Sequence, residues 1–162
     1  VAFETVRRWV QALERVYYVY AVPPFSRRIQ RSLKREAKYY FWDWSEVRDP
    51  AARFENLVLS HFRKACDVWS DFGHGRFELR YLRDKQKREV DVAILRDGEP
   101  WCLAEVKRSE LTVSPSLVRF AEQLGCERAV QIVESDGIHH RTRVGGRIIQ
   151  VASAAEIFRH LP

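Results

Sequence analysis

Hydrophobic positions along this chain repeat with two different periods, and the switch between them outlines the elements. Phe3, Val6, Trp9, Val10 and Leu13 recur at helical spacing over residues 3–15. An aromatic run from Val16 to Val22 follows and ends at Pro23-Pro24. After a basic stretch, SRRIQRSLKREAK, the segment YYFWDW reads as a buried strand. Asp49 then suits a helix cap and Pro50 the first helical position. Phe54, Leu57, Val58, His61, Phe62 and Ala65 carry an apolar stripe from there to about Val68. Strand patterns occupy Phe77 to Leu82, Glu89 to Leu95 and Trp101 to Lys107. A helix with Leu117, Val118, Phe120, Ala121 and Leu124 on one face opens at Ser114-Pro115 and stops at Gly125. A strand from Arg128 to Val133, a polar loop ESDGIHHRTRVGG and a strand from Arg147 to Val151 come next. Ser153 with Glu156 three residues on forms a capping box for a last helix.

From residue 46 to 162 the order is α-β-β-β-α-β-β-α, which predicts an α/β mixed sheet flanked by helices. Residues 1–45 form a small helix-plus-strand unit: a winged-helix-like piece or an N-terminal extension of the main domain. No internal repeat or low-complexity tract is visible. At 162 residues and 46% hydrophobic, the chain has enough apolar side chains for a substantial core.

Charge and cysteine usage narrow the function classes. No apolar stretch approaches the ~20 residues of a membrane helix, and the N-terminal residues lack a signal peptide's apolar run. The expectation is a soluble, cytoplasmic protein without a membrane partner. Cys66, Cys102 and Cys126 are widely spaced inside apolar segments, which points to buried thiols rather than a zinc site or disulfide frame. The formal charge is +6, and 22 of the 28 basic residues are Arg. Arg forks match phosphate geometry and a basic surface attracts polyanions, although an Arg-rich genome gives the same composition.

Charged residues inside two apolar strands carry the chemistry. REVDVAIL and WCLAEVK are joined by a Gly and Pro turn, with Asp91 in the first and Glu105 and Lys107 in the second. Alternate strand residues share a face, so Asp91 is expected with Ala93 and Leu95, and Glu105 with Leu103 and Lys107. A turn leaving Asp97 to Glu99 unpaired puts Asp91 across from Glu105; a two-residue turn puts them on opposite faces. Opposed side chains have Cβ atoms about 5 Å apart. Two bare carboxylates at that range repel, and a divalent cation with oxygen ligands removes the conflict. Glu55 borders the buried stripe of the long helix and is placed to reach the same rim. The alternative is a pair of strand-edge acids balanced by Lys107 or Arg88.

A helix glutamate, then an Asp and a Glu-x-Lys on successive strands of a meander, resembles the PD-(D/E)XK nuclease superfamily over residues 50 to about 133. That resemblance implies a restriction-endonuclease-like core. Glu55, Asp91, Glu105 and the carbonyl of Val106 would hold Mg²⁺ or Mn²⁺, and Lys107 would orient the attacking water. It also makes Gln123, on the second helix, a candidate for the site. Val90 stands where the superfamily name has proline. TVRRWVQALERVYYVYAVPPFSRR, KYYFWDW, FENLVLSHF, EVDVAIL and LAEVKRS together are similar to the C-terminal region of a family of prokaryotic AAA+ ATPases. There a nucleotide-binding domain and a winged helix precede a nuclease-like domain. The chain contains no GxxxxGK(S/T) phosphate loop, so ATP binding of that kind is not expected of it; it reads as a fragment or a stand-alone tail.

Two functions follow from the resemblance. One is a metal-dependent nuclease hydrolysing DNA phosphodiester bonds. The other is an inactive nuclease-like module that binds nucleic acid or a partner on behalf of an AAA+ ATPase domain. For DNA contact, Arg80, Arg83, Lys85, Lys87 and Arg88, with Arg76, lie near the proposed site. Arg27 and Arg28, with Arg31, Lys34 and Arg35, form a second basic run. Glu36-Ala37-Lys38 is a second Glu-x-Lys, but no Asp precedes it. His139 and His140 read as plain loop. Tyr39, Trp42 and Trp44 read as core, with base stacking as the alternative.

Overall fold

Asp49 and Pro50 start the longest helix where the pattern places it. In the computed structural model, which describes residues 2–25 and 37–162, Asp49 Oδ1 accepts from Ala52 N at 2.8 Å. The helix, α2, runs Pro50–Asp71. Before it come α1, Phe3–Arg15, and a two-stranded antiparallel sheet of β1, Val19–Val22, and β2, Lys38–Phe41. After it come β3 (Phe77–Arg83), β4 (Glu89–Arg96), β5 (Glu99–Lys107), α3 (Pro115–Leu124), β6 (Ala129–Val133), β7 (His139–Val144), β8 (Arg147–Ser153) and α4 (Ala154–Phe158).

The main sheet has six strands in the order β3-β4-β5-β6-β8-β7. β3, β4 and β5 form an antiparallel meander, β5, β6 and β8 run parallel, and β7 pairs antiparallel with β8. One face packs against α2: Phe54, Val58, Leu59 and Phe62 meet Leu79, Val92, Ile94, Ala104 and Ile132. The other packs against α3: Leu117, Phe120 and Ala121 meet Val90, Ala93, Leu103 and Ile149. Leu59, Ile94, Leu103 and Leu117 are fully buried, each stabilising the fold by about 1.5–3 kcal/mol relative to an exposed position. Cys66, Cys102 and Cys126 are free and buried.

The N-terminal unit is tied to this core. Tyr20, Val22 and Tyr40 belong to the α2-side cluster. Asn56, 2% exposed, clips β2 to α2: Phe41 N donates to its Oδ1 at 2.9 Å and its Nδ2 donates to Phe41 O at 2.8 Å. Phe25 N donates to Tyr81 O at 2.8 Å and Tyr81 N to Pro23 O at 3.2 Å, which covers the outer edge of β3.

Several expectations need correction. The loop containing His139 and His140 holds β7. Its sequence, HHRTRV, is polar on both faces because it is the sheet's outer strand, so no alternation betrays it. Ser153 does not cap the last helix: its Oγ accepts from Ile138 N at 2.8 Å and donates to Ile138 O at 3.2 Å. Glu156 instead meets Arg159 and His160. Tyr39, Trp42 and Trp44 are exposed rather than core; only Tyr40 of β2 is buried. The apolar face of α1 is also open, with Phe3 and Trp9 exposed.

Candidate metal centre

Two irregularities in the meander build the site. The β4–β5 hairpin closes through a two-residue turn, Asp97-Gly98, with Arg96 paired to Glu99. Both turn residues have positive φ, +53° and +87°, the primed geometry that matches strand twist. Taken alone, this turn would put Asp91 and Glu105 on opposite faces. A bulge at Trp101 compensates: Leu95 pairs with Pro100, then Ile94 pairs with Cys102. The extra residue restores the register a three-residue turn would have given. The ladder ends at Val92 and Ala104, so the next position brings Asp91 opposite Glu105. There the Asp91 carboxylate stands in for a strand acceptor, with Oδ2 taking the Val106 N–H at 3.0 Å.

The second irregularity faces β3. Arg80 pairs with Ala93, but Leu82 pairs with Val90, so Asp91 and Val92 together oppose one residue. Alternation therefore breaks at Asp91. Val90 packs on the α3 side with Ala93, not with Val92 and Ile94 as strict alternation requires. Asp91 is left in the gap, where α2 and β2 reach it.

Four carboxylates and two ammonium groups converge there. Glu55, in the second turn of α2, accepts from Tyr40 Oη at 2.6 Å. Lys38, on β2, lies 3.5 Å from Glu55 Oε1 and 3.7 Å from Asp91 Oδ1, and is also paired with Glu89. Lys107 Nζ lies 2.9 Å from Glu105 Oε1. The other oxygen, Glu105 Oε2, is buried with no hydrogen-bond partner, an arrangement that costs about 1–3 kcal/mol or more for a charged group.

The electrostatics record the crowding. Burial, then the charges of Glu105 and Glu55, push the Asp91 carboxyl up to about 7. Burial also raises Glu105, opposed by Lys107; Ser114, at the start of α3, pulls it the same way as Lys107 without meeting Oε2. Burial would lower Lys38, but Glu89, Glu55 and Asp91 outweigh it and hold its ammonium protonated. Tyr40 is raised by burial and by Glu55.

This donor set suits a hard divalent cation. All the acidic donor atoms it offers are oxygens, one is buried and partnerless, and the acids are short of positive charge. As placed, no three carboxylates, imidazoles or thiols among the described residues gather closely enough to share one ion, and the Lys38 ammonium bridges three of the acids.

Not every expected residue joins the cluster. Gln123 is exposed in the last turn of α3, roughly 13 Å along the helix from Ser114, while it is the Ser114 end that approaches Glu105. Arg80 is paired with Glu78, and Arg88 donates to Asp84 at 2.6 Å, so these two are committed within the fold. Arg83 lies 3.6 Å from Glu89. Lys85 and Lys87 project from the β3–β4 turn into solvent beside the site. Arg27 and Arg28, with Arg31, Lys34 and Arg35, lie outside the described residues.

Sequence reasoning missed Lys38, Tyr40, Glu89 and Gln131. Glu89 was legible as the same-face neighbour of Asp91. Lys38 and Tyr40 come from another segment, and nothing local marks them. Gln131, fully buried on β6 beside Glu105, holds the loop that leaves Lys107. It accepts from Ser114 N at 2.8 Å and donates to Glu110 O at 2.7 Å and Thr112 O at 3.0 Å. Gln131→Leu strands a buried N–H and two carbonyls; a loss of about 2–4 kcal/mol is expected in urea unfolding, against little change for an exposed control such as Gln123→Leu.

A family profile for a domain of unknown function, DUF4143, matches residues 51–155. The chain belongs to this family. Glu55, Glu89, Asp91, Glu105 and Lys107 all lie within the DUF4143 match, whereas Lys38 and Tyr40 lie outside it. Residues 1–47 are similar to a second domain of unknown function, DUF8612. No curated protein and no solved structure gave a match to the chain. In DUF4143 terms, the carboxylates belong to the family domain, and a neighbouring segment supplies the cation that Glu55, Glu89 and Asp91 hold.

Proposed function

We propose that this chain is a metal-dependent phosphodiesterase acting on DNA, built on a restriction-endonuclease-like core. The observation that carries the reading is the buried, partnerless Oε2 of Glu105 next to Asp91, a carboxyl pushed up to about 7. A buried acid pair in that state favours a divalent cation over a second proton. Asp91, Glu105 and the Val106 carbonyl would hold Mg²⁺ or Mn²⁺, with Glu55 completing the set. When bound, such an ion lowers the pKa of water and offsets charge on a phosphate. Lys107, about one-third exposed, is placed to orient the attacking water and to face charge developing on the phosphate. Lys85 and Lys87 supply sequence-independent attraction for the backbone.

The test is incubation of supercoiled plasmid and single-stranded DNA with Mg²⁺ or Mn²⁺, with EDTA as control. Nicking or degradation that EDTA stops supports the reading; intact DNA at saturating metal rejects it. The second reading is a non-catalytic module that docks nucleic acid or a partner for an AAA+ ATPase domain. It is favoured by one observation, the Lys38 ammonium already balancing Glu55, Glu89 and Asp91. DNA binding that persists unchanged in EDTA and in Asp91→Ala, without cutting, would select it.

A further inference from the structure

Lys38 is not part of the Asp and Glu-x-Lys pattern, and it reaches the site from a different segment of chain. It is nonetheless the most heavily engaged cation among the described residues, with Glu55, Glu89 and Asp91 around its Nζ. Its surroundings fix it there. β2 is paired along its length with β1, Val22 opposite Lys38. Asn56 bonds β2 to α2 through both its amide atoms, one residue after Glu55. Tyr40, two residues after Lys38 and on the same side of the strand, donates to Glu55. The Tyr81 ring closes the other side, its centroid 5.3 Å from the ammonium. Glu55 and Asp91, two of the three side chains expected to touch the metal, therefore already share one lysine.

We propose that Lys38 is a built-in cation of this site, competing with the divalent ion for Glu55 and Asp91 and leaving them when it binds. The proposal rests on the metal-site reading above and extends it. It makes the centre composite: the DUF4143 domain supplies the acids and Lys107, and the N-terminal segment supplies the one ammonium that Glu55, Glu89 and Asp91 share without metal. An ammonium and a divalent ion compete for these oxygens, because two cations within about 4 Å repel in a partly buried setting. The lysine thus sets the affinity for metal and keeps the fold tolerant of its absence.

The experiment measures Mn²⁺ binding to the full chain by the electron paramagnetic resonance signal of the free ion. Wild type, Lys38→Met and Asp91→Asn are compared. Lys38→Met is expected to bind about tenfold more tightly than wild type, and Asp91→Asn to lose binding. In EDTA, Lys38→Met is expected to melt at lower temperature than wild type, and Mn²⁺ to raise its melting temperature by more. A second readout needs no variant: acetylation of Lys38 in the wild-type chain, followed by mass spectrometry. Labelling is expected to rise several-fold with Mn²⁺ as the amine leaves its partners. Binding that weakens or stays equal in Lys38→Met, or labelling that ignores saturating Mn²⁺, overturns the role of Lys38 and leaves the metal site standing. Absence of Mn²⁺ binding by both wild type and Lys38→Met overturns the metal site and this proposal with it.

Discussion

Asp91→Asn is expected to lower Mg²⁺-dependent DNA cleavage at least about a hundredfold, the scale on which single groups that stabilise a transition state act. The reason is positional as well as electrostatic. Asp91 sits where the β4–β5 ladder ends, fixed by the Val106 N–H at 3.0 Å. An Asn carbonyl retains that bond, so the backbone stays in place while the charge is lost. Lys107→Ala is expected to act on a different step. Lys107 touches Glu105 Oε1 at 2.9 Å and is not a metal ligand, so Mn²⁺ binding is expected to survive while cleavage falls by a similar factor. Agarose-gel rates for both variants, set beside their Mn²⁺ affinities, separate the two roles. Equal cutting by wild type and Asp91→Asn would exclude this site as the source of the activity.

The same carboxylate is expected to destabilise the metal-free protein at neutral pH. In the fold its pKa is raised to about 7 from 3.8, so the folded state keeps a proton that the unfolded chain has released. Stability then falls as pH rises from about 4 to about 7, and the full penalty is present above that window. One pKa unit is ~1.4 kcal/mol, which bounds the effect at about 4 kcal/mol. Glu105 is shifted in the same direction and adds to it. Lys38 and Lys107 are raised from 10.5; their contribution is present throughout this range and is lost only at alkaline pH. Urea unfolding in EDTA at pH 5 and pH 8 is expected to show wild type weaker at pH 8, with Asp91→Asn flattening the difference and gaining stability at pH 8. A wild type equally stable at both values would mean that Asp91 is not under strain.

Much of the architecture was legible because local chemistry and tertiary packing agree. Asp49-Pro50 begins α2 as a cap and a first-turn proline should, and Gly125, at φ +67°, ends α3. A Gly and Pro turn between β4 and β5 was visible as well, but neither its two-residue Asp97-Gly98 form nor the bulge at Trp101 was. Only the bulge makes a two-residue turn compatible with Asp91 opposite Glu105. Its logic is tertiary: Trp101 packs against Trp69 and Phe77, with ring centroids 5.4 Å away in each case, and Arg128 lies over its ring. β7 stayed hidden because an outer strand need not alternate. Gln123 was misplaced because a helix stripe gives the face of a residue but not its distance from a strand end. Lys38 stays hidden in the sequence because a Glu-x-Lys with no Asp before it carries no signal, and its importance comes from acids 17 to 53 positions downstream that only the fold brings to it. Glu55, Asp91, Glu105 and Lys107 were readable from spacing; Lys38, the cation shared by Glu55, Glu89 and Asp91, was not.

The most direct test of the metal centre is a crystal structure of the protein with Mn²⁺, using the anomalous signal to place the ion. A peak in direct contact with Asp91, Glu105 Oε2 and the Val106 carbonyl, with Lys38 withdrawn from Asp91, is the expected result. A map at saturating Mn²⁺ with no peak at these oxygens, and Lys38 still among Glu55, Glu89 and Asp91, would contradict it.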